Sequence, residues 1–162
     1  VTDDIYYSGL PAIIVNGSLC VVVDGTCGGG GTLDKVTKMK SLIQSAIAKG
    51  VTRVYVTGTY LATYGDFIQT PVLSQAIKDF ATGTIDLIIP NVSSIPGTDG
   101  FVNISAIKSI TFGSVITSVG EGAFDEDYTP NCDLTLAKGQ NGVGEGENKK
   151  WEGYTWKSIT LK

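Results

Sequence analysis

The sequence predicts a single α/β domain: a solenoid whose parallel strands line one face, with helices behind the first units and irregular returns behind the later ones. Three observations carry this reading. Strand-like segments recur at regular intervals, 32 residues from Val22 to Val54, 33 on to Leu87, then 23 to Ile110, 24 to Leu134 and 25 to Ile159. Helical periodicity fills the two long intervals and is missing from the three short ones. A motif within the short intervals repeats itself. Regular spacing of roughly 20 to 35 residues marks units that each supply one strand to a shared sheet and bury their apolar faces only against their neighbours.

The elements follow in order. Residues 1–23 form a β cap, with strand-like Ile5–Tyr7 and Ala12–Val15 and then Leu19–Val23 after Asn16-Gly17, a dipeptide suited to a two-residue hairpin turn. Residues 24–84 hold the helix-containing units. Val36, Met39, Ile43, Ala46 and Ile47 fall on one helical face, with Thr32 placed to cap the start and Gly50 the end. Arg53–Val56 alternates as a strand. Thr70-Pro71 then opens a second helix, whose stripe of Val72, Leu73, Ala76, Ile77 and Phe80 stops at Gly83. Residues 85–162 are short units and a C-terminal cap, with strands at Ile85–Ile89, Ser109–Phe112, Leu134–Leu136 and Ser158–Leu161.

Within those units, Val92-Ser-Ser-Ile95 followed by Phe101 parallels Ile116-Thr-Ser-Val119 followed by Phe124. The outer apolar members of each tetrad are expected to point into the stack, and each Phe to fill the corner where the chain turns back. The polar segment 139–150, Gly-Gln-Asn-Gly-Val-Gly-Glu-Gly-Glu-Asn-Lys-Lys, reads as a mobile loop.

The stretch from Ser109 to Phe124 (with Val119-Gly120 and Ala123-Phe124) followed by Cys132-Asp-Leu-Thr-Leu136 resembles the BspA-like leucine-rich repeat family. The likeness is clearest over residues 109–136. The unit from Ile85 matches in part, with Pro96 where the Gly stands, and the last unit keeps its strand. The resemblance implies a leucine-rich-repeat-type solenoid, and a bacterial protein exported to the cell surface or periplasm that serves in adhesion or protein binding. The opening VTDDIYYSGL has no basic or apolar leader, so an exported chain is expected to have lost its signal.

Composition narrows the chemistry. The 162 residues include no histidine, which removes Ser-His-Asp and Cys-His nucleophile systems and His-ligated metal sites. The net charge of −4 argues against a nucleic-acid partner, and no apolar run is long enough to span a bilayer. No set of catalytic residues converges, so a non-enzymatic scaffold with no cofactor and no metal is expected. An unidentified protein is the expected partner.

Four candidate sites stand against structural readings. Asp24-Gly25-Thr26-Cys27 with Gly28–Gly31 lies between a strand and a helix, where backbone N–H groups cradle phosphate in doubly wound folds. It lacks the GxxxxGK[ST] lysine and the GxGxxG spacing, so a plain connection is the stronger reading and a nucleotide- or phosphate-binding domain the alternative. Asp125-Glu126-Asp127 offers oxygen ligands for Ca²⁺ without EF-hand spacing, and a solvated loop explains it better. Trp151, Tyr154 and Trp156 are the candidate ligand contacts, as a carbohydrate-binding platform or as an end cap. Cys20, Cys27 and Cys132 allow at most one internal bridge, Cys20–Cys27 being the candidate pair.

Overall fold

The computed structural model describes residues 2–7, 10–22, 32–57, 72–95 and 101–162. A nine-stranded mixed, mostly parallel sheet forms one layer. It begins as an antiparallel meander of β1 (Thr2–Tyr7), β2 (Leu10–Val15) and β3 (Ser18–Val22). The β2–β3 turn is the expected Asn16-Gly17, with φ of 49° and 77°, the left-handed pair that matches strand twist.

From β3 the sheet is parallel and strictly sequential through β4 (Arg53–Thr57), β5 (Ile85–Ile89), β7 (Ile107–Phe112), β9 (Asp133–Leu136) and β13 (Ser158–Leu161). Along it, Leu19, Val54, Leu87, Ile110, Leu134 and Ile159 are paired residue to residue. All six are at most 2% exposed, and burying each such side chain stabilises the fold by about 1.5–3 kcal/mol. The expected centres Val54, Leu87, Ile110, Leu134 and Ile159 are thus the partners that meet across the sheet; Val22, expected as the centre of the first strand, is the last residue of β3 and pairs with Thr57, and Leu19 takes its place opposite Val54. Lys108 is the extra residue of a bulge between β5 and β7, where Ile85 pairs with Ile107 and Asp86 with Ser109.

Behind the first strands lie α1 (Thr32–Ala48) and α2 (Val72–Ile77), packed on each other. Met39, Leu42, Ile43 and Ala46 are buried on α1, and Leu73, Ala76 and Ile77 on α2. Gly50, at φ 80°, ends α1 as expected: its N–H donates to the Ile47 carbonyl and the Val51 N–H to that of Ala46. Thr32, expected outside as the cap, is the first helical residue. The second helix is shorter than its apolar stripe, because Phe80 donates to Ile77, three residues back, and the helix gives way to a turn before Gly83. Thr70 and Pro71 lie outside the described residues, as do Val23 and residues 24–31.

Behind the later strands the returns are more regular than expected. β6 (Ser94–Ile95) pairs in parallel with β8 (Ser118–Val119) as a second small sheet. Val92, Ile95 and Ile116 are buried and Val119 half-buried. Phe101 and Phe124 stack at 5.5 Å between ring centres in the corner beyond, beside Phe112. Residues 139–150 are a correction. β10 (Gly146–Glu147) joins the sheet antiparallel to β13, and Lys150 enters the hairpin of β11 (Lys150–Trp151) and β12 (Tyr154–Thr155). The pairing comes from the free edge of β13, a long-range partner that a polar, glycine-rich segment does not advertise. The Leu161 N–H on the same edge donates to Glu145 Oε1 at 2.7 Å.

Candidate functional site

Strand alternation sends every second residue of the parallel strands away from the core. The first outward row is Ser18, Arg53, Asp86, Ser109, Asp133 and Ser158, in continuous register. The second is Cys20, Tyr55, Ile88, Thr111, Thr135 and Thr160. Neighbours in a row stand about 4.8 Å apart, so the face is a lattice: an apolar end at Cys20, Tyr55 and Ile88, and a hydroxyl-rich end at the three threonines.

The first row is locked by a repeated bond. Ser109 Oγ donates to Asp86 Oδ1 at 2.6 Å, and Ser158 Oγ to Asp133 Oδ1 at 2.6 Å. Each serine fixes the carboxylate of the preceding strand and leaves the other oxygen without a protein partner among the described residues. A serine hydroxyl that donates to a carboxylate is held in one orientation, with its oxygen lone pairs left to accept. The arrangement suits recognition by hydrogen bonding. Its signal is in the sequence, as Ser109-Ile-Thr111, Asp133-Leu-Thr135 and Ser158-Ile-Thr160, although only the pairing register shows that these triplets lie side by side.

The residues singled out from the sequence fall elsewhere. Trp151 and Trp156 are 4% and 0% exposed. Phe124 packs against both, at 5.9 and 5.1 Å, and Trp156 Nε1–H donates to the Trp151 carbonyl at 3.4 Å. Enclosed in this way, neither indole offers a face to a sugar. Aromatic rings this close to the Phe cluster gain more from burial than from water. Tyr154, half-buried and edge-on to Phe124 at 5.6 Å, lines a shallow groove with Gly120, Glu121, Gly122, Glu152 and Gly153.

In the acidic cluster, Asp125 is occupied structurally. Its Oδ1 accepts from the Asp127 N–H at 2.9 Å and its Oδ2 from the Asn103 N–H at 3.3 Å, tying one return to the next. Glu126 and Asp127 are exposed, and no group of metal-ligating side chains forms among the described residues. A polar cavity of about 340 Å³ lies beside Asp125, lined also by Lys78, Asp79, Asn103, Ser105 and Asp127.

Cys20 and Cys132 are free thiols, and Cys27 lies outside the described residues. Burial, with the Asp133 carboxylate second, pushes the Cys132 thiol up to about 12. The glycine run 24–31 also lies outside the described residues. Among the described residues the strand order is consecutive, with no reversal of the kind that opens the nucleotide crevice of doubly wound folds. No helix among the described residues is long and apolar enough to cross a membrane. No protein-family model matches the chain, and no curated protein matches it either.

Proposed function

We propose that the chain is a leucine-rich-repeat-type solenoid of the BspA-like kind, an exported, non-enzymatic scaffold that presents the outward face of its parallel sheet to a protein partner. The observation that supports this is the consecutive, in-register stacking of six parallel strands from β3 to β13. Consecutive stacking gives each unit one outward strand, so side chains from residues more than a hundred apart lie on one continuous surface. The Asp–Ser bonds hold that surface rigid before a partner arrives, which lowers the ordering cost of binding.

The test is capture of surface-exposed proteins by the full chain, compared with a face variant carrying Thr111→Lys and Thr135→Lys and with a control, Glu121→Ala, off that face. Both variants are first checked for a native circular dichroism spectrum. A partner retained by the control and lost by the face variant supports the proposal. Binding that ignores the face substitutions, or tight nucleotide binding in a calorimetric titration, overturns it.

A further inference from the structure

The chain contains three Asn-x-Ser triplets with no proline in the middle: Asn16-Gly17-Ser18, Asn91-Val92-Ser93 and Asn103-Ile104-Ser105. Such a triplet accepts an N-linked glycan when the Asn amide reaches solvent on a turn or loop. The structure separates the three. Asn16 is exposed at the tip of the β2–β3 hairpin, at φ 49°. Asn103 is exposed too, at φ 56°, and its triplet ends in an exposed Ser105. Asn91 is half-buried, and its Oδ1 accepts from Thr57 Oγ1 at 3.2 Å.

Topology sorts them the same way. Asn16 lies just ahead of β3 and Asn103 just ahead of β7. Because these strands are parallel, both sit on the rim where the strands begin. Asn91 follows β5 and sits on the opposite rim. Asn103 also borders the polar cavity of about 340 Å³, whose Lys78, Asp79 and Ser105 offer donors and acceptors next to the acceptor amide.

We infer that Asn16 and Asn103 are acceptors for N-linked glycans, which stand along one rim and leave the outward sheet face open. This rests on the reading of the chain as exported, by a route that carries an oligosaccharyl transferase. The donor class is a polyprenyl-diphosphate-linked oligosaccharide. The Asn Nδ2 forms a bond to sugar C1 as the bond from C1 to the phosphate oxygen breaks. Polyprenyl diphosphate leaves with the electron pair, and the amide proton passes to a base of the transferase.

The experiment expresses the full chain behind a cleavable heterologous secretion signal in a eukaryotic secretory host, and reads intact mass before and after peptide N-glycosidase. The expected result is two glycans per chain. Asn16→Gln and Asn103→Gln each remove one, Ser105→Ala removes that on Asn103, and Asn91→Gln removes none. A chain without glycosidase-sensitive mass, or one that keeps it in the Asn16→Gln/Asn103→Gln double variant, overturns the assignment. Because the signal is supplied, this outcome is independent of the chain's own route. Export is tested separately, by protease shaving of cells that make the protein naturally.

Discussion

The side-chain amide of Gln140 makes both main-chain hydrogen bonds of Ile116: the Ile116 N–H donates to Gln140 Oε1 at 2.8 Å, and Gln140 Nε2 donates to the Ile116 carbonyl at 2.9 Å. The two residues are 24 apart, the interval that also separates Ser94 from Ser118, whose hydroxyls meet at 2.7 Å. Gln140 therefore stands in its unit where Ile116 and Val92 stand in theirs, and Val143, packed on the core, stands where Val119 and Ile95 do. An amide carries donor and acceptor side by side, so one side chain substitutes here for a strand.

Gln140→Leu leaves the Ile116 N–H and carbonyl unpaired in a partly buried place. The expected loss is about 1–3 kcal/mol, read as a lower urea midpoint at unchanged slope. Gln140→Glu keeps the acceptor for the Ile116 N–H but sets an oxygen against the Ile116 carbonyl, and is expected to lose stability as well. A Leu variant as stable as the parent refutes the role given to the amide.

Gly113 follows β7 beside the end of β5, where its N–H donates to the Ile89 carbonyl at 3.0 Å. A Cβ built there meets Pro90 Cα at 2.8 Å and Pro90 O at 2.9 Å, both backbone atoms. Gly113→Ala forces the two units apart and is expected to cost about 1–3 kcal/mol. Gly144→Ala meets nothing within 4 Å and serves as the control; it is expected to fall within about 0.5 kcal/mol of the parent. Thermal melts of the two variants side by side decide this.

Phe124 is the ring on which the C-terminal aromatics converge, in contact with Phe101, Phe112, Trp151, Tyr154 and Trp156. Phe124→Ala is expected to cost about 3–5 kcal/mol and to collapse the near-ultraviolet dichroism of both tryptophans. Tyr154→Ala, at the half-exposed border, costs less. Equal losses at the two positions contradict the picture of Phe124 as the hub.

Cys132 sets a pH dependence. Its thiol rises from an ordinary value of 9.0 to about 12 in the fold, chiefly through burial. Above 9 the unfolded chain releases a proton that the folded chain keeps, so the stabilisation is complete below 9 and is lost as the pH climbs toward 12. Burial raises the Tyr128 hydroxyl in the same direction from its ordinary value of 10.0. Cys132→Ala, though less stable overall, is expected to show a flatter decline of unfolding free energy above pH 9. In the parent, iodoacetamide modifies Cys132 only on unfolding, as peptide mapping will show; rapid native labelling contradicts its burial.

Much of the sheet was legible in the sequence because strand alternation and helical period are local properties. Val54, Leu87, Ile110, Leu134 and Ile159 are the expected strand centres, and the four intervals between them match the pairing register; the first interval does not, because Val22 closes β3 and Leu19 is the partner of Val54. Ile85–Ile89 was delimited to the residue, and Asn16-Gly17 and Gly50 acted as their backbone preferences dictate. The tetrads showed which side chains enter the core, since Val92, Ile95 and Ile116 are flanked by serines and threonines that cannot.

The candidate site was legible only in fragments. Each outward triplet is short and polar, and nothing in Ser109-Ile-Thr111 announces that Asp86 lies beside it. Trp151 and Trp156 carry two readings in the sequence, a ligand platform or an end cap, because a Trp near a glycine-rich segment has no period that marks it as core; their burial at 4% and 0% exposure is that of a cap. The sequence by itself determined the strands of the parallel sheet, the helical faces and, from Val54 onward, the intervals that decide which residues meet. Only the tertiary structure decided the fate of the side chains in the returns. The amide of Gln140, the indoles of Trp151 and Trp156 and the edge strand Gly146–Glu147 all depend on the hole, the unpaired carbonyl or the open edge that a neighbouring unit leaves. That vacancy is a property of the stacked chain and has no local counterpart in sequence.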